Sequence, residues 1–504
     1  MRNYKLLLSS FAVLLTFNSF AQKDLKEYES YIDQAVKDFE LPGLAISIVH
    51  NDEVKYQEAF GFENEPKKTP LKTESIFGIA SLSKAFTATS VAMLVDDGKL
   101  DWDDKVQKHL KGFTLSDEYV ASQLTIEDLL CHRSGFGTFD GDLLWYGTDF
   151  TREEIVQKFS KYEMTYDFRT DYGYQNIMFI IAGEVVEEVS GMTWDAFVEQ
   201  RIFKPLAMSN SYTSISQYTK KTSIAMPHVK GELDDLRNYD NSGGAAALSS
   251  NVEDLSKWIK FWLNNGIVGE DTLLNAGTHR KLLTLHTSIP PSSFDRRNGI
   301  EFKGYAQGWF LMDYDGDKVA HHGGGLPGFI SKIFLVPSQN LGGIILTNGE
   351  TSLPTALMYK SIDEFKENDL ETDWAATYLD YKKRYEAYLA KKVEDREAKR
   401  DASLKSNIEQ DLLVGTYLDK VYGEAEVRKE GGDLVFSMIG SKEIFTSKMT
   451  HWQQNTYEIE FKDKFLPKGY LTFNVNANGE VVNLKVDLPN PDFHFYKLDF
   501  IRQN

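Results

Sequence analysis

Cysteine is almost missing from this chain: Cys131 is the only one in 504 residues. An intramolecular disulfide is therefore excluded, as is a zinc site built from several cysteines. As a thiol nucleophile Cys131 would need a histidine partner. Its neighbour His132 is badly placed for that, because such partners meet through the fold. A buried structural thiol is the expected reading. Cations are also short. Lys and Arg number 56 against 75 Asp and Glu, and 56 − 75 = −19. That balance argues against nucleic acid or an anionic membrane surface as the main partner, since both are polyanions. Beyond the N-terminus no second long apolar run occurs, so no stable membrane insertion is expected of the mature chain.

What is present begins with an export signal. Arg2 and Lys5 give a positive start, 6–17 is mostly apolar, and Ser19-Phe20-Ala21 puts small residues where a signal peptidase reads. Cleavage after Ala21 and export are expected, to the periplasm or alternatively the medium. No cysteine follows the run, which argues against a lipid anchor; an uncleaved anchor is the alternative. Apolar residues make up 42% and charged residues 26%, a soluble globular composition. The length exceeds one ordinary core, so two domains with a connecting segment are expected.

The order of patterns suggests how these domains are built. Segment 44–49 (Leu-Ala-Ile-Ser-Ile-Val) reads as a buried strand, and 54–60 as its hairpin partner. Segments 83–97, 125–130, 176–189 and 252–263 read as helices, the first ended by Gly98 and the third by Gly191. Strands return at 307–312, 330–336 and 343–346. One antiparallel sheet built from both ends, with a helical insertion, follows. From about 369 to 405 the pattern is helical and charged, with Trp374, Tyr378, Tyr381, Tyr385 and Tyr388 on one face. That face is expected to pack on the main domain or its neighbour; a sugar-stacking stripe is the alternative. After Asn407 short strands alternate with Gly- and Asn-rich turns, as in a small all-β barrel or sandwich. The expected division is 1–21 signal peptide, 22–360 main domain, 361–408 charged helical linker and 409–504 β-rich domain.

Three motifs carry chemistry. Ser81-Leu-Ser-Lys84 is the only Ser-x-x-Lys in the chain. It follows an apolar stretch and opens a helix, so Ser and Lys share a face. A Ser hydroxyl needs a nearby base, and a desolvated Lys can be one. Tyr174-Gln-Asn176 precedes a helix; a Tyr whose pKa is lowered by an ammonium can share the base role, and an Asn amide can hold a substrate carbonyl and the Lys. Tyr239-Asp-Asn241 fits the same string but precedes no such helix. His322-Gly-Gly324-Gly325 places glycines where a ligand or another backbone can approach closely. His322 can donate to a substrate carboxylate or carbonyl, or tune Tyr174. His321 competes, on the opposite strand face.

In this order the motifs resemble those of the serine β-lactamase/penicillin-binding-protein superfamily, Ser-x-x-Lys, Tyr-x-Asn and His-x-Gly. The closest likeness is to its class C-like branch of D-aminopeptidases and esterases. Leu41-Pro-Gly43, the 125–135 stretch (with Cys131 and Arg133 as departures), Gly243-Gly244 to Asp254-Leu255 and Gly308-Trp309 are similar to further blocks, covering 41–348.

The resemblance implies an antiparallel sheet flanked by helices with a helical subdomain, plus a C-terminal lipocalin-like module. It implies that Ser81 forms an acyl-enzyme, with Lys84 and Tyr174 as coupled base and acid. Asn176, His322, Gly324 and Gly325 would meet substrate, and the N–H groups of Ser81 and Gly325 would form the oxyanion hole. No metal or cofactor is implied. His322 stands where true class C β-lactamases have Lys, which puts strong β-lactam hydrolysis in doubt. The expected activity is hydrolysis of an ester or amide in a small molecule, peptide or acylated saccharide. Alternatives are a β-lactamase or D,D-peptidase, or a non-turnover binding protein. The sequence leaves the oligomeric state open.

Overall fold

The computed structural model of the protein describes residues 25–366 and 372–503. The expected signal segment lies outside them. Run 44–49 becomes the strand Gly43–His50, buried at every position but the last. Burial on both faces explains why its sequence shows no alternation. It pairs with its hairpin partner Glu53–Asn64 on one side and with Leu341–Thr347, from the far end of the domain, on the other. These strands belong to a nine-stranded antiparallel sheet. Its order from one edge is Thr287–Ser288, Lys303–Tyr305, Phe310–Tyr314, Asp317–Leu326, Phe329–Val336, Leu341–Thr347, Gly43–His50, Glu53–Asn64 and Thr69–Pro70.

Each face of the sheet is covered by helices. Lys26–Asp38 and Leu353–Phe365 supply Ile32, Leu357 and Ile362 to a core that includes Ile46, Phe334 and Ile345. On the other face Ala45, Ile333, Ile344 and Leu346 share a core with Val252–Leu263 and the helical region between the two strand groups. Within that region the helix Ser83–Asp96 is buried on all sides over its first twelve residues. Such a helix is central rather than amphipathic. Helix 126–130 starts with a Thr125–Asp128 capping box, and Gly191, at φ 72°, ends the helix Asn176–Ser190.

Strands between 415 and 502 form a second nine-stranded antiparallel sheet. Its two edges, Thr446–Lys448 and Thr450–Gln453, are separated by Met449 alone, so the sheet curls into a nearly closed barrel. Phe445, Phe473, Phe495 and Phe500 belong to the same apolar cluster as the helical region of the first domain.

The helix Trp374–Ala398 meets the expected packing only at its start. Trp374 is buried, its indole N–H donating to Asp363 at 2.7 Å, and Tyr378 meets Phe294 edge-on. Beyond that first turn Tyr381, Tyr385 and Tyr388 are 55%, 45% and 53% exposed. The helix has left the body by then, and Tyr381 stacks on Tyr385 at a centroid distance of 6.4 Å instead of on another domain. The stripe therefore splits into an anchored and a free part. Trp374→Ala should destabilise the fold by about 3–5 kcal/mol. Tyr385→Ser should change it by about 0.5 kcal/mol or less. Urea denaturation followed by far-UV circular dichroism measures both.

Candidate active site

The nucleophile position is set by backbone constraints on both sides. Ile79 N–H bonds Leu248 O at 2.9 Å, and the short strand Phe77–Gly78 pairs with Ser249–Ser250. Ala80 then takes a left-handed φ of 51°, unusual for a residue with a side chain. The turn Ala80–Leu82 carries Ser81 and runs directly into the helix Ser83–Asp96. Ser83 Oγ ties the bend, donating to Ala80 O at 2.6 Å and accepting from Leu248 N–H at 3.1 Å.

One turn later Lys84 points back at Ser81. Its Nζ donates to Ser81 Oγ at 3.0 Å, to Asn176 Oδ1 at 2.6 Å and to Ala245 O at 3.1 Å. None of these acceptors is charged. Burial lowers the Lys84 pKa to about 7, against the opposing pull of Asp142. Asn176 is held in turn, its Nδ2 donating to Asp142 Oδ2 at 2.6 Å. Burial raises the Asp142 carboxyl to about 8, with Trp145, Asn176 and Lys84 favouring its charged form. Nothing in the sequence around Asp142 marks it, because it belongs to no motif and enters through a bend after Gly141.

Tyr174 lies beside this chain. The Lys84 ammonium sits 4.8 Å from the centre of its ring, and the phenol interacts with Ser81. The expected fall of the Tyr174 pKa does not occur. Burial drives it well above the ordinary value, and the Ser81 hydrogen bond offsets only part of that. The phenol therefore rests protonated. His132 packs on it at 4.3 Å between ring centres and accepts from Gln175 N–H through Nδ1, which fixes the turn before Asn176. The competing Tyr239-Asp-Asn241 is structural: Asn241 Nδ2 donates to Trp145 O and Thr148 O.

His322 also lines the cavity, yet its nitrogens are occupied. Nδ1 bonds Gly323 O at 2.6 Å and Nε2 bonds the Tyr305 hydroxyl at 3.0 Å. Burial lowers its pKa to about 3, so it is neutral. Direct donation to a substrate carboxylate, expected from the motif, has no free N–H to make it. Gly324 explains the glycine run better than ligand contact does. A Cβ there would stand 2.3 Å from Ile79 O and 2.3 Å from Ser331 Oγ, so only glycine lets this strand close on the nucleophile turn. Gly325 lies on the cavity wall. Cys131 is buried with its thiol pushed up to about 12, an inert group.

These residues open on a cavity of about 580 Å³. Ser81, Tyr174, Asn176, His322 and Gly325 line it, while Lys84 stays behind Ser81. The barrel supplies Phe465, Asp492 and Phe493 to the same wall. Two buried carboxylates join the domains nearby. Asp463 of the barrel accepts from the Tyr146 hydroxyl at 2.5 Å and pairs with Arg237 at 2.8 Å. Asp140 accepts from Gly137 N–H, Tyr162, Thr165, His494 and Lys497. Among the described residues no group of three or more His, Cys, Asp or Glu is placed to hold a metal ion. None of the described helices is long and apolar enough to cross a membrane.

The buried lysine has a measurable signature. Between pH 7 and its ordinary value the unfolded chain holds a proton on Lys84 that the folded chain lacks, so this group makes stability rise with pH over that window. Its penalty is complete below about pH 7. Lys84→Met should therefore melt higher than the wild type at pH 6.5, with the gap closing towards pH 10. Differential scanning calorimetry across that range gives the answer.

Comparison with known proteins places these features. The family described as Beta-lactamase matches residues 29–363, and the family described as Domain of unknown function (DUF3471) matches 399–502. Unguisins hydrolase ungD' of Aspergillus campestris is 28% identical over 378 residues, covering 70% of this chain and 68% of its own. Penicillin-binding protein 4 of Amycolatopsis lactamdurans is 27% identical over 352 residues, covering 68% of this chain and 90% of its own. The solved octameric penicillin-binding protein homologue from Pyrococcus abyssi shares the fold at a TM-score of 0.61 and 20% identity, covering 95% of this chain and 100% of its own. With the family match spanning most of its length, this chain belongs to the Beta-lactamase family and is a serine hydrolase of that family.

Proposed function

We propose that the protein is an exported hydrolase of the class C-like branch that cleaves an ester or amide through an acyl-enzyme on Ser81. The observation that carries this reading is the Lys84 ammonium, fully buried, bonded only to neutral acceptors and 3.0 Å from Ser81 Oγ. A lysine so placed surrenders its proton near neutrality and can then accept one from the serine. Export rests on the N-terminal pattern of the sequence.

The reaction follows from these positions. Neutral Lys84 takes the Ser81 hydroxyl proton as Oγ attacks the substrate carbonyl carbon. The N–H groups of Ser81 and Gly325 meet the oxygen that becomes negative. Tyr174, protonated at rest, donates its phenolic proton to the leaving oxygen or nitrogen, and the Lys84 ammonium returns a proton to it. Asn176 keeps Lys84 in register. Water then attacks the acyl carbon, losing a proton to the same pair, which passes it to Ser81 Oγ as the acyl bond breaks and the acid departs.

A second reading, acylation by β-lactams, is favoured by the likeness to a penicillin-binding protein. The neutral, fully engaged His322 weighs against efficient turnover of that class. Nitrocefin against a p-nitrophenyl ester separates the two.

Intact mass after fluorophosphonate treatment should show one adduct on the wild type and none on Ser81→Ala. A folded wild type without an adduct sinks the mechanism. The acylation rate should rise with pH through a midpoint near 7, as Lys84 loses its proton. Lys84→Ala should lower kcat by about 10²–10⁴-fold, and a variant with unchanged turnover contradicts the assigned base.

A further inference from the structure

Two phenols stand at almost equal distance from one imidazole. Between ring centres His322 is 5.9 Å from Tyr305 and 6.1 Å from Tyr174, and the phenol rings are 6.4 Å apart. His132 packs on both, 4.2 Å from Tyr305 and 4.3 Å from Tyr174, so neither ring can move far. Tyr305 is fully buried at the end of the strand Lys303–Tyr305. The turn that follows is closed by Ala306 N–H, which donates to Trp309 O at 2.8 Å and holds the start of the ring in place. The described lining of the Ser81 cavity includes Tyr174 and not Tyr305.

The partners decide which atom donates. A backbone carbonyl only accepts, so the 2.6 Å bond to Gly323 O puts the His322 proton on Nδ1. Burial lowers the pKa of this ring to about 3, so it is neutral and Nε2 is a bare lone pair. The 3.0 Å bond to Tyr305 is then donated by the Tyr305 hydroxyl. Among the described residues that hydroxyl has no other hydrogen-bond partner. The Tyr174 phenol is engaged differently, with Ser81. A single lone pair cannot serve two phenols well. A buried acceptor left unpaired is costly, so His322 Nε2 would draw the other nearby hydroxyl if Tyr305 released it.

We propose that Tyr305 is a positioning residue of the reaction: by occupying His322 Nε2 it keeps the Tyr174 phenol on Ser81, where the leaving group takes its proton. This rests on the Ser81 acyl-enzyme reading with Tyr174 as the acid. Without the Tyr305 hydroxyl, His322 turns its lone pair to Tyr174, and the Tyr174 proton points away from the breaking bond. The leaving oxygen or nitrogen then departs unprotonated. Alkoxide and amide leaving groups suffer, because they need that proton. p-Nitrophenolate does not, because it is stable as an anion.

The test is Tyr305→Phe, which removes one oxygen and keeps the ring. Its kcat/KM for an ethyl ester should fall about 10–100-fold. For the p-nitrophenyl ester of the same acid it should stay within about threefold of the wild type. Equal loss on both esters marks a merely structural role and overturns the proposal, as does no loss on either. In a His322→Phe background no imidazole competes, so Tyr305→Phe should lose its selective effect; an undiminished effect there also counts against the proposal. The wild type carries a second measurement that needs no variant to fold. Nitrogen-15 NMR of labelled histidine should show His322 with Nδ1 protonated and Nε2 bare near neutral pH, and the reverse tautomer overturns the assignment. Tyr174→Phe separates the two levels of the argument. It should show the same leaving-group selectivity as Tyr305→Phe. Selectivity in Tyr174→Phe but not in a folded Tyr305→Phe overturns the positioning role alone. A folded wild type with no Ser81 adduct overturns the acyl-enzyme reading, and the role of Tyr305 falls with it.

Discussion

A lysine ammonium without a carboxylate in contact is the constraint around which the catalytic half is arranged. Lys84 is fully buried, and every hydrogen-bond acceptor it meets is a neutral oxygen. Each of those oxygens must then be held by something else. Asn176 is fixed by Asp142, Ala245 O belongs to the glycine-containing bend after Ser242, and Ser81 is fixed by the left-handed Ala80. A salt bridge in place of any of them would raise the Lys84 pKa and remove the base. The site therefore keeps its one nearby carboxyl, Asp142, an amide away from the lysine.

The same economy of charge appears where the domains meet. Asp140 and Asp463 are buried carboxylates, and each is surrounded by donors from both halves. Removing one partner of such a buried pair leaves an uncompensated charge, so these joints tolerate substitution poorly. Phe493 packing on Tyr146 at 4.0 Å adds an aromatic contact across the same seam. Asp140 lies two residues before Asp142, which links the seam to the group that orients Asn176.

Sequence pattern and structure agree where local signals are strong. The helices after Ser81 and before Gly191, the Thr125 cap and the sheet shared by both ends of the domain are legible because periodicity, caps and glycine stops are local. Ser81, Lys84, Tyr174 and Asn176 were within reach because several motifs in a fixed order mark them, where each alone would not. Asp142 was not, since it reaches Asn176 only through the bend after Gly141 and carries no motif. His322 was legible as a position but not in its role, because whether a ring nitrogen is free depends on Tyr305 and on a backbone carbonyl. The tyrosine stripe failed for another reason. Helical spacing shows which residues share a face, but not how far the neighbouring surface extends beneath it.

The barrel places Phe465, Asp492 and Phe493 on the cavity wall while contributing none of the groups that move protons. Part of the wall a bound molecule meets is thus written in a stretch of the gene apart from Ser81 and Lys84. Drift or exchange in the barrel's loops can retune what is accepted, without passing through a catalytically dead intermediate. In such a chain one side of the cavity is heritable independently of the other, and the two halves can evolve at different speeds.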